Sequence, residues 1–254
     1  MLLAIDVGNT HITIGAYKGK TLTQTWRLST NRHATSDELG LHLLGLLDHP
    51  EGIIIASVVP SMDDPLRAAC ETYLKRKPLF VSSKLNIGIK NLYRNPEEVG
   101  ADRLVNAVAV YAFYKKAAIV VDFGTATTLD CVTSKGEYLG GAICPGMELA
   151  GEWLATHTAK LPRVTFEGMP SGMQARPVIG KTTIESLQSG LFWGYIALVE
   201  GLLARMKKEM GGQPKIVATG GLSTLLGPHL KSVSEILPNL TLDGLRMIWE
   251  RQRT

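Results

Sequence analysis

Apolar runs that end in one aspartate and a glycine turn open both halves of the chain. Residues 2–5 are apolar, Asp6 and a Gly-Asn-Thr turn follow, and apolar residues alternate at positions 12, 14 and 16. Residues 119–121 are apolar in the same way, and Asp122 precedes a turn of glycine and threonines 116 positions after the first. The pattern predicts two hairpins of buried strands. A carboxylate ending a buried strand is costly unless something pairs with it, so both aspartates are candidates for chemistry.

The first half of the chain alternates strand and helix patterns. We expect Ser36 to cap the first helix and Pro60 to end the strand that follows this helix. The basic residues at 75–77 should complement the dipole of the second helix. The predicted elements are a hairpin over 1–17, a third strand within 18–30, a helix over 35–49, a strand over 52–60, a helix over 61–77 and a strand over 78–83.

The second half repeats this order after a helical region that breaks near Gly100. The predicted elements are helical residues 96–114, three strands within 117–146, helices over 146–161 and 182–210, a strand over 215–221 and a C-terminal helix. Two halves of similar order indicate a diverged internal repeat. We therefore predict an α/β protein with one lobe over residues 1–115 and another over 116–254, and a cleft between them.

Composition favours a soluble cytoplasmic protein without nucleic-acid or membrane partners. The net charge of +4 comes from 27 scattered Lys and Arg residues, which is typical of solvated surfaces rather than a nucleic-acid footprint. Three cysteines without CxxC spacing fit a reduced interior. The chain begins with a strand pattern instead of a leader, and no apolar run approaches the ~20 residues of a membrane span.

Common motifs of nucleotide and metal chemistry are missing. Gly180-Lys181-Thr182 resembles the end of a Walker loop, but the earlier glycine would have to be residue 175, which is alanine. The sequence has no GxGxxG, kinase HRD or DFG, GxSxG or HExxH motif. The twin hairpins are the next candidates for phosphate chemistry.

Each hairpin turn has the composition of a phosphate cradle. A tight turn of glycine and small hydroxyl residues directs backbone N–H groups outward, Gly8 allows close approach, and Thr10 adds a donor. Asp6 could hold Mg²⁺ or its waters, and the second turn offers threonines at 125, 127 and 128. Either turn alone could be an ordinary hairpin. As a pair facing each other across the cleft, they would grip a triphosphate from both sides.

Two shorter motifs add further candidates. In Gly100-Ala101-Asp102-Arg103 the carboxylate could accept a proton from a substrate hydroxyl while the arginine binds an anion, although a helix-surface ion pair fits the same residues. Thr-Gly-Gly at 219–221 follows a predicted strand and could let a nucleoside approach the backbone.

Five motifs together resemble the type III pantothenate kinases of the acetate and sugar kinase/Hsp70/actin superfamily. The resemblance extends through nearly the whole chain and implies two ribonuclease H-like lobes, with mixed sheets flanked by helices, around a nucleotide cleft. The motifs are DVGNT at 6–10, GADR at 100–103, DFGTATT at 122–128, GGAICPG at 140–146 and GKTTIESLQSG at 180–190.

The resemblance implies ATP-dependent phosphorylation of pantothenate, the first step of coenzyme A biosynthesis, by a homodimer with its site near the subunit interface. Asp102 would be the proton acceptor, and Asp122 would bind a monovalent cation, K⁺ or ammonium, instead of Mg²⁺. The implied ATP-binding residues are Asp6, Val7, Gly8, Asn9, Thr10, His11, Ile12, Thr13 and Thr125. The implied pantothenate-binding residues are Tyr93, Gly100, Ala101, Asp102, Arg103 and Thr183.

One departure and two alternatives remain open. The segment 164–179 is longer than in the family, and the choice of Thr183 over Thr182 depends on the alignment around it. The glycines and prolines of this segment predict a flexible surface loop. A nucleotide-binding regulator without kinase activity is one alternative, although it would not need Asp102, Arg103 and Tyr93. A kinase of another small hydroxy acid is the second, because function depends on the site and not on the fold.

Overall fold

The computed structural model describes residues 1–46, 49–166 and 178–253. Its strands are β1 (Leu2–Val7), β2 (His11–Lys18), β3 (Thr21–Ser29), β4 (Gly52–Ser57), β5 (Leu79–Phe80), β6 (Lys90–Asn91), β7 (Ala118–Phe123), β8 (Ala126–Val132), β9 (Glu137–Pro145), β10 (Lys215–Thr219) and β11 (Glu235–Ile236). Its helices are α1 (Ser36–Leu46), α2 (Pro60–Tyr73), α3 (Ala101–Tyr114), α4 (Met147–His157), α5 (Thr183–Met210), α6 (Ser223–Leu226) and α7 (Leu240–Arg251). Most of the predicted segment 164–179 lies outside the described residues.

The first of two compact units contains Met1–Lys115, Lys135–Leu139 and Asn239–Thr254. Its five-stranded sheet has the order β3-β2-β1-β4-β5. β2 is antiparallel to β1 and β3, whereas β4 is parallel to β1 and β5. Alternate residues of β1, β2 and β4 form one core with apolar side chains of α1 and α2.

Helix α7 packs in the first unit because glycines of the sheet leave room for its side chains. A Cβ atom added to Gly15 would lie 2.9 Å from Leu242, and one added to Gly52 would lie 2.0 Å from Trp249. The sequence prediction places this helix with residues 116–254. The contacts place it with β1, β2 and β4 instead.

The second unit contains Lys116–Ser134 and Gly140–Pro238. Its strands belong to a sheet of order β11-β10-β7-β8-β9-β6, in which β7 is antiparallel to β8 and parallel to β10. β6 pairs only with Glu137 and Tyr138, which are grouped with the first unit. Alternate residues of β7, β8 and β10 pack against α5 in one core.

The two sheets place their aspartates in equivalent positions, which confirms the predicted repeat. Asp6 is the next-to-last residue of β1 and pairs with Thr13 of β2 and Ala56 of β4. Asp122 is the next-to-last residue of β7 and pairs with Thr128 of β8 and Thr219 of β10. Each aspartate therefore lies between an antiparallel and a parallel neighbour.

Several predicted boundaries in the first half are wrong. Thr35 caps α1 in place of Ser36: the Thr35 hydroxyl accepts from the Glu38 backbone N–H at 3.2 Å, and the Glu38 carboxylate accepts from the Thr35 N–H at 2.8 Å. β4 ends at Ser57, and Pro60 begins α2. α2 ends at Tyr73 because Lys75 has a left-handed φ of 54°, so the basic residues at 75–77 lie beyond the helix.

Helix α5 matches the predicted helix over 182–210 to within one residue at its start, and it is more apolar than the sequence prediction suggests. Within the described part of the chain, it is the helix that has the length and hydropathy to cross a membrane. Its buried side chains, among them Phe192 and Val199, belong to the core of the second unit. Its Glu200 accepts hydrogen bonds from the backbone and hydroxyl of Ser232 at 2.9 and 2.6 Å. These contacts join α5 to the core of the second unit and to the residues before β11.

Candidate active site

The turn between β1 and β2 holds the first predicted phosphate loop. The Gly8 N–H donates to the His11 carbonyl at 3.0 Å, which closes the turn and leaves Asn9 and Thr10 exposed. Ile12 is buried in the core, whereas Asp6 and Thr13 lie on the opposite face of the sheet. The exposed tip and the half-buried carboxylate are therefore side by side at one edge of the sheet.

Residues after β3 brace this turn, and sequence reasoning missed them. The Thr30 hydroxyl donates to the Gly8 carbonyl at 2.7 Å, and the Thr30 N–H donates to the Thr10 carbonyl at 2.9 Å. The Arg32 guanidinium donates to the Asn9 side-chain oxygen at 2.8 Å. All three residues of the turn are thus held by a segment that has no recognisable motif.

The N-terminus of α3 brings Asp102 to the same edge of the first sheet. The Val58 N–H, directly after β4, donates to the Val7 carbonyl at 3.0 Å. A Cβ atom on Gly100, the residue before α3, would lie 3.4 Å from the Val58 side chain and 2.5 Å from Asp102 Oδ1. Asp102 Oδ1 also accepts from the Arg103 backbone N–H at 2.8 Å. Its carboxylate therefore folds back over the start of the helix, beside the ends of β1 and β4.

Arg103 is a buried residue and does not lie on an exposed helix surface. Its exposed fraction is 6%, and its guanidinium carbon lies 5.9 Å from the centroid of the Tyr138 ring. The Tyr93 ring lies 6.4 Å from the same ring. Tyr138 thus joins Tyr93 to Arg103, two predicted substrate residues that are ten positions apart in the sequence.

Three glycine turns meet around Asp122 and Thr125 in the second unit. A Cβ atom on Gly220, which has a left-handed φ of 89°, would lie 2.4 Å from Asp122 Oδ1. A Cβ atom on Gly146, before α4, would lie 2.2 Å from the Thr125 carbonyl, and the Gly146 N–H donates to that carbonyl at 3.0 Å. Glycine is required at both positions because any side chain would displace the turn that carries Asp122 and Thr125.

Thr183 is exposed at the first position of α5. The neighbouring Thr182 is the cap, since its hydroxyl accepts from the Glu185 N–H at 3.2 Å, and Glu185 accepts from the Lys181 N–H at 2.8 Å. The hydroxyl of Thr182 is therefore used within the helix start. Thr183 is the threonine of this pair whose hydroxyl is not used to cap the helix.

The carboxylate ligands at the two glycine turns suit cations that also bind phosphate groups. In the described ranges there is no cluster of three or more His, Cys, Asp or Glu residues that could hold a metal. Asp6 and Asp122 each provide one carboxylate beside a glycine turn, which fits hard cations that keep water or phosphate ligands. Burial raises the pKa of the Cys70 and Cys131 thiols to about 12, so both are inert.

The architecture is shared with a known sugar kinase. A solved ROK hexokinase from Thermus thermophilus matches with a TM-score of 0.54 at 15% sequence identity, over 100% of this chain and 99% of that one. At this identity the likeness shows the fold alone.

Sequence relatives define the family. The family profile described as type III pantothenate kinase matches residues 2–205. A type III pantothenate kinase of Anaeromyxobacter sp. (strain Fw109-5) is 50% identical over 260 residues, with both chains fully covered. One of Koribacter versatilis (strain Ellin345) is 47% identical over 271 residues, covering 100% of this chain and 97% of the relative. The chain belongs to the type III pantothenate kinases, and it is a kinase.

Proposed function

We propose that this protein transfers the γ-phosphoryl group of ATP to the primary hydroxyl of pantothenate, giving 4′-phosphopantothenate for coenzyme A biosynthesis. Family membership supports the reaction. The observation that carries the assignment of residues is the position of Asp102, whose carboxylate lies at the start of α3 beside the ends of β1 and β4. With these roles, the proposed general base and the proposed phosphate loop would act at one edge of one sheet.

The phosphate-binding role falls on the two hairpin turns. Phosphoryl transfer depends mainly on positioning and on neutralising charge, so a turn held in one shape is more useful than a mobile one. In the first unit, residues Asp6 to Thr13 would bind the phosphates, with the turn braced by Thr30 and Arg32. In the second unit, Thr125 would contact ATP. A divalent metal ion neutralises phosphate charge when bound, and Asp6 would hold it or its waters.

The acceptor would be bound by the residues around Tyr138. Gly100 to Arg103, together with Tyr93, would line the pantothenate site, and the Arg103 guanidinium is suited to a carboxylate. Asp102 would accept the proton of the substrate hydroxyl while the oxygen of that hydroxyl attacks the γ-phosphorus and ADP leaves. This step needs the carboxylate within about 2.6–3.2 Å of that hydroxyl. Thr183 would contribute to the same substrate.

Asp122 is proposed to bind a monovalent cation, K⁺ or ammonium. The support is its position at the end of β7, where a side chain on Gly220 would collide with its carboxylate. A single carboxylate among backbone and hydroxyl oxygens is a suitable environment for a weakly bound monovalent ion.

The protein is further proposed to act as a cytoplasmic homodimer. Apolar side chains on the second unit are exposed to an unusual degree, among them Ile143 at 63% and Trp153 at 56%. Exposed apolar patches of this kind are typical of association sites. Sedimentation equilibrium of the purified protein should give twice the mass of the chain, and a monomer at all concentrations would contradict the dimer.

The test of the reaction is ADP release by purified protein with ATP and Mg²⁺. The assay is run without acceptor, with pantothenate and with other small hydroxy acids, each in K⁺ and in Na⁺ buffer. We expect turnover that depends on pantothenate and is greater in K⁺. Turnover that depends on a different hydroxy acid would show that this acid, and not pantothenate, is the acceptor. Nucleotide binding without turnover on any acceptor would favour a regulatory protein.

A further inference from the structure

The hydroxyl of Thr219 is a buried polar group that the fold does not satisfy. Thr219 ends β10 and is only 1% exposed. Within the described part of the chain, its Oγ1 atom makes no hydrogen bond. Since a buried hydroxyl without a partner is unfavourable, most such groups in proteins are bonded to protein, water or a ligand. An apolar residue of the same shape, valine, would avoid this cost.

The position of Thr219 suggests what its partner is. Thr219 and Asp122 are register partners on the parallel strands β10 and β7, so their side chains lie on the same face of the sheet, on strands about 4.8 Å apart. Their neighbours Ala218 and Val121 are in the core with α5, which places Thr219 and Asp122 on the opposite face. The backbone then turns at Gly220, against the Asp122 carboxylate.

We propose that Thr219 Oγ1 is a second oxygen ligand for the monovalent cation at Asp122, an inference that rests on the proposed function of that aspartate. A hydroxyl oxygen has lone pairs for a cation. An anionic phosphate in the same place would be repelled by the adjacent carboxylate. The Thr219 hydroxyl therefore serves to bind the ion. When the ion is absent, the unsatisfied hydroxyl lowers the stability of the protein.

The proposal predicts opposite effects of Thr219→Val on stability and on cation binding. The measurements are urea unfolding in choline chloride and the rise in melting temperature when KCl replaces choline chloride at constant ionic strength, each with and without Mg²⁺–ADP. We expect the variant to be at least as stable as the wild type in choline chloride. The KCl concentration that gives half of the stabilisation should rise at least fivefold, the effect of losing one ligand of a charged group. Thr219→Ser should restore the wild-type KCl concentration for half of the stabilisation.

Thr158→Val is the matched control in the same unit. The Thr158 hydroxyl donates to the Leu154 carbonyl at 2.7 Å, so this variant should lose stability in choline chloride and keep the wild-type response to KCl. If Thr219→Val behaves like this control, or fails to fold in choline chloride, the hydroxyl is structural and the proposal is wrong. No stabilisation of the wild type by KCl would also overturn it.

A nucleotide contact is a separate outcome. If Thr219→Val weakens ADP binding in choline chloride and leaves the KCl response unchanged, the hydroxyl binds nucleotide and the cation role is rejected. Because these measurements need no turnover, they give the same answer if pantothenate is not the acceptor. Failure of the proposed reaction is therefore distinguishable from failure of this inference.

Discussion

Tyr17 links two parts of the first unit that are far apart in the sequence. It lies on β2 with no exposed surface, and its hydroxyl donates to Asp243 Oδ1 of α7 at 2.9 Å across 226 positions. The Arg246 guanidinium carbon lies 5.7 Å from the centre of its ring. Burial, followed by the negative charge of Asp243, raises the pKa of Tyr17 far above its ordinary value of 10.0.

This raised pKa predicts how stability depends on alkaline pH. The folded protein keeps the Tyr17 proton after the unfolded chain has lost it, so the contribution is complete below about pH 10 and falls as pH rises further. The loss has a slope of at most about 1.4 kcal/mol per pH unit. Urea unfolding between pH 8 and 11 should show a smaller alkaline loss in Tyr17→Phe than in the wild type.

Tyr73→Phe is the control for this prediction. The Tyr73 hydroxyl also donates to an aspartate, Asp37, at 2.8 Å, but it does so near the protein surface. Its removal should therefore change the alkaline loss less than the removal of the Tyr17 hydroxyl. If the two substitutions change the alkaline loss of stability equally, burial of the Tyr17 hydroxyl is not the cause of that loss.

Among the elements, the β1–β2 turn and the segment after β3 are joined by hydrogen bonds. Thr30 holds the two ends of the turn by their carbonyls, and Arg32 holds the Asn9 side chain between them. A turn that must present N–H groups to phosphates benefits from being fixed before the ligand arrives. The guanidinium also places a positive charge beside the same turn.

Arg32→Ala should therefore weaken ATP use without unfolding the protein. A hydrogen bond from a charged group contributes about 1.5–3 kcal/mol, and exposure reduces that, so we expect KM for ATP to rise roughly three- to tenfold. The fall in kcat should be smaller. If Arg32 acts through Asn9, Arg32→Ala should add little to Asn9→Ala, which a double-mutant cycle measures.

Arg76→Ala is the matched control for the braced turn. Arg76 is an exposed arginine of the same unit, and its guanidinium also donates one hydrogen bond, to the Pro50 carbonyl at 2.9 Å. Pro50 precedes β4 at the opposite edge of the sheet, because Leu2 pairs with Gly52 and Val7 with Ser57. An equal rise in KM for ATP in both variants would contradict the bracing role.

For the whole molecule, the sequence predicted what depends on local pattern. The Asp6 and Asp122 hairpins could be recognised because alternation, turn glycines and a lone carboxylate are all contained in about fifteen residues. The return of α7 to the first unit could not be recognised. It depends on the contact of Leu242 with Gly15 and on that of Trp249 with Gly52. Both contacts join segments that are more than 190 positions apart.

The candidate site was predictable to the same extent. Asp102 lies in a motif and could be proposed from the sequence, whereas Tyr138 and Arg32 come from segments whose composition is ordinary. Tyr138 is fully buried beside Arg103, and the pairing of β6 with β9 brings it near Tyr93. The residues that hold the site in place are distributed over the fold, and only the tertiary structure brings them to the motif residues.

The proposed reaction depends most on Asp102 as the proton acceptor, and one substitution tests this role directly. Asp102→Asn keeps an oxygen that can accept from the Arg103 N–H, so the start of α3 should be preserved. Pantothenate-dependent ADP release should fall at least ~100-fold, the lower range for loss of a general base. ADP binding, measured by calorimetry, should be retained, and Glu97→Gln, an exposed carboxylate five positions earlier, should turn over normally. Near-normal turnover by Asp102→Asn would remove Asp102 from the reaction and contradict the proposed site.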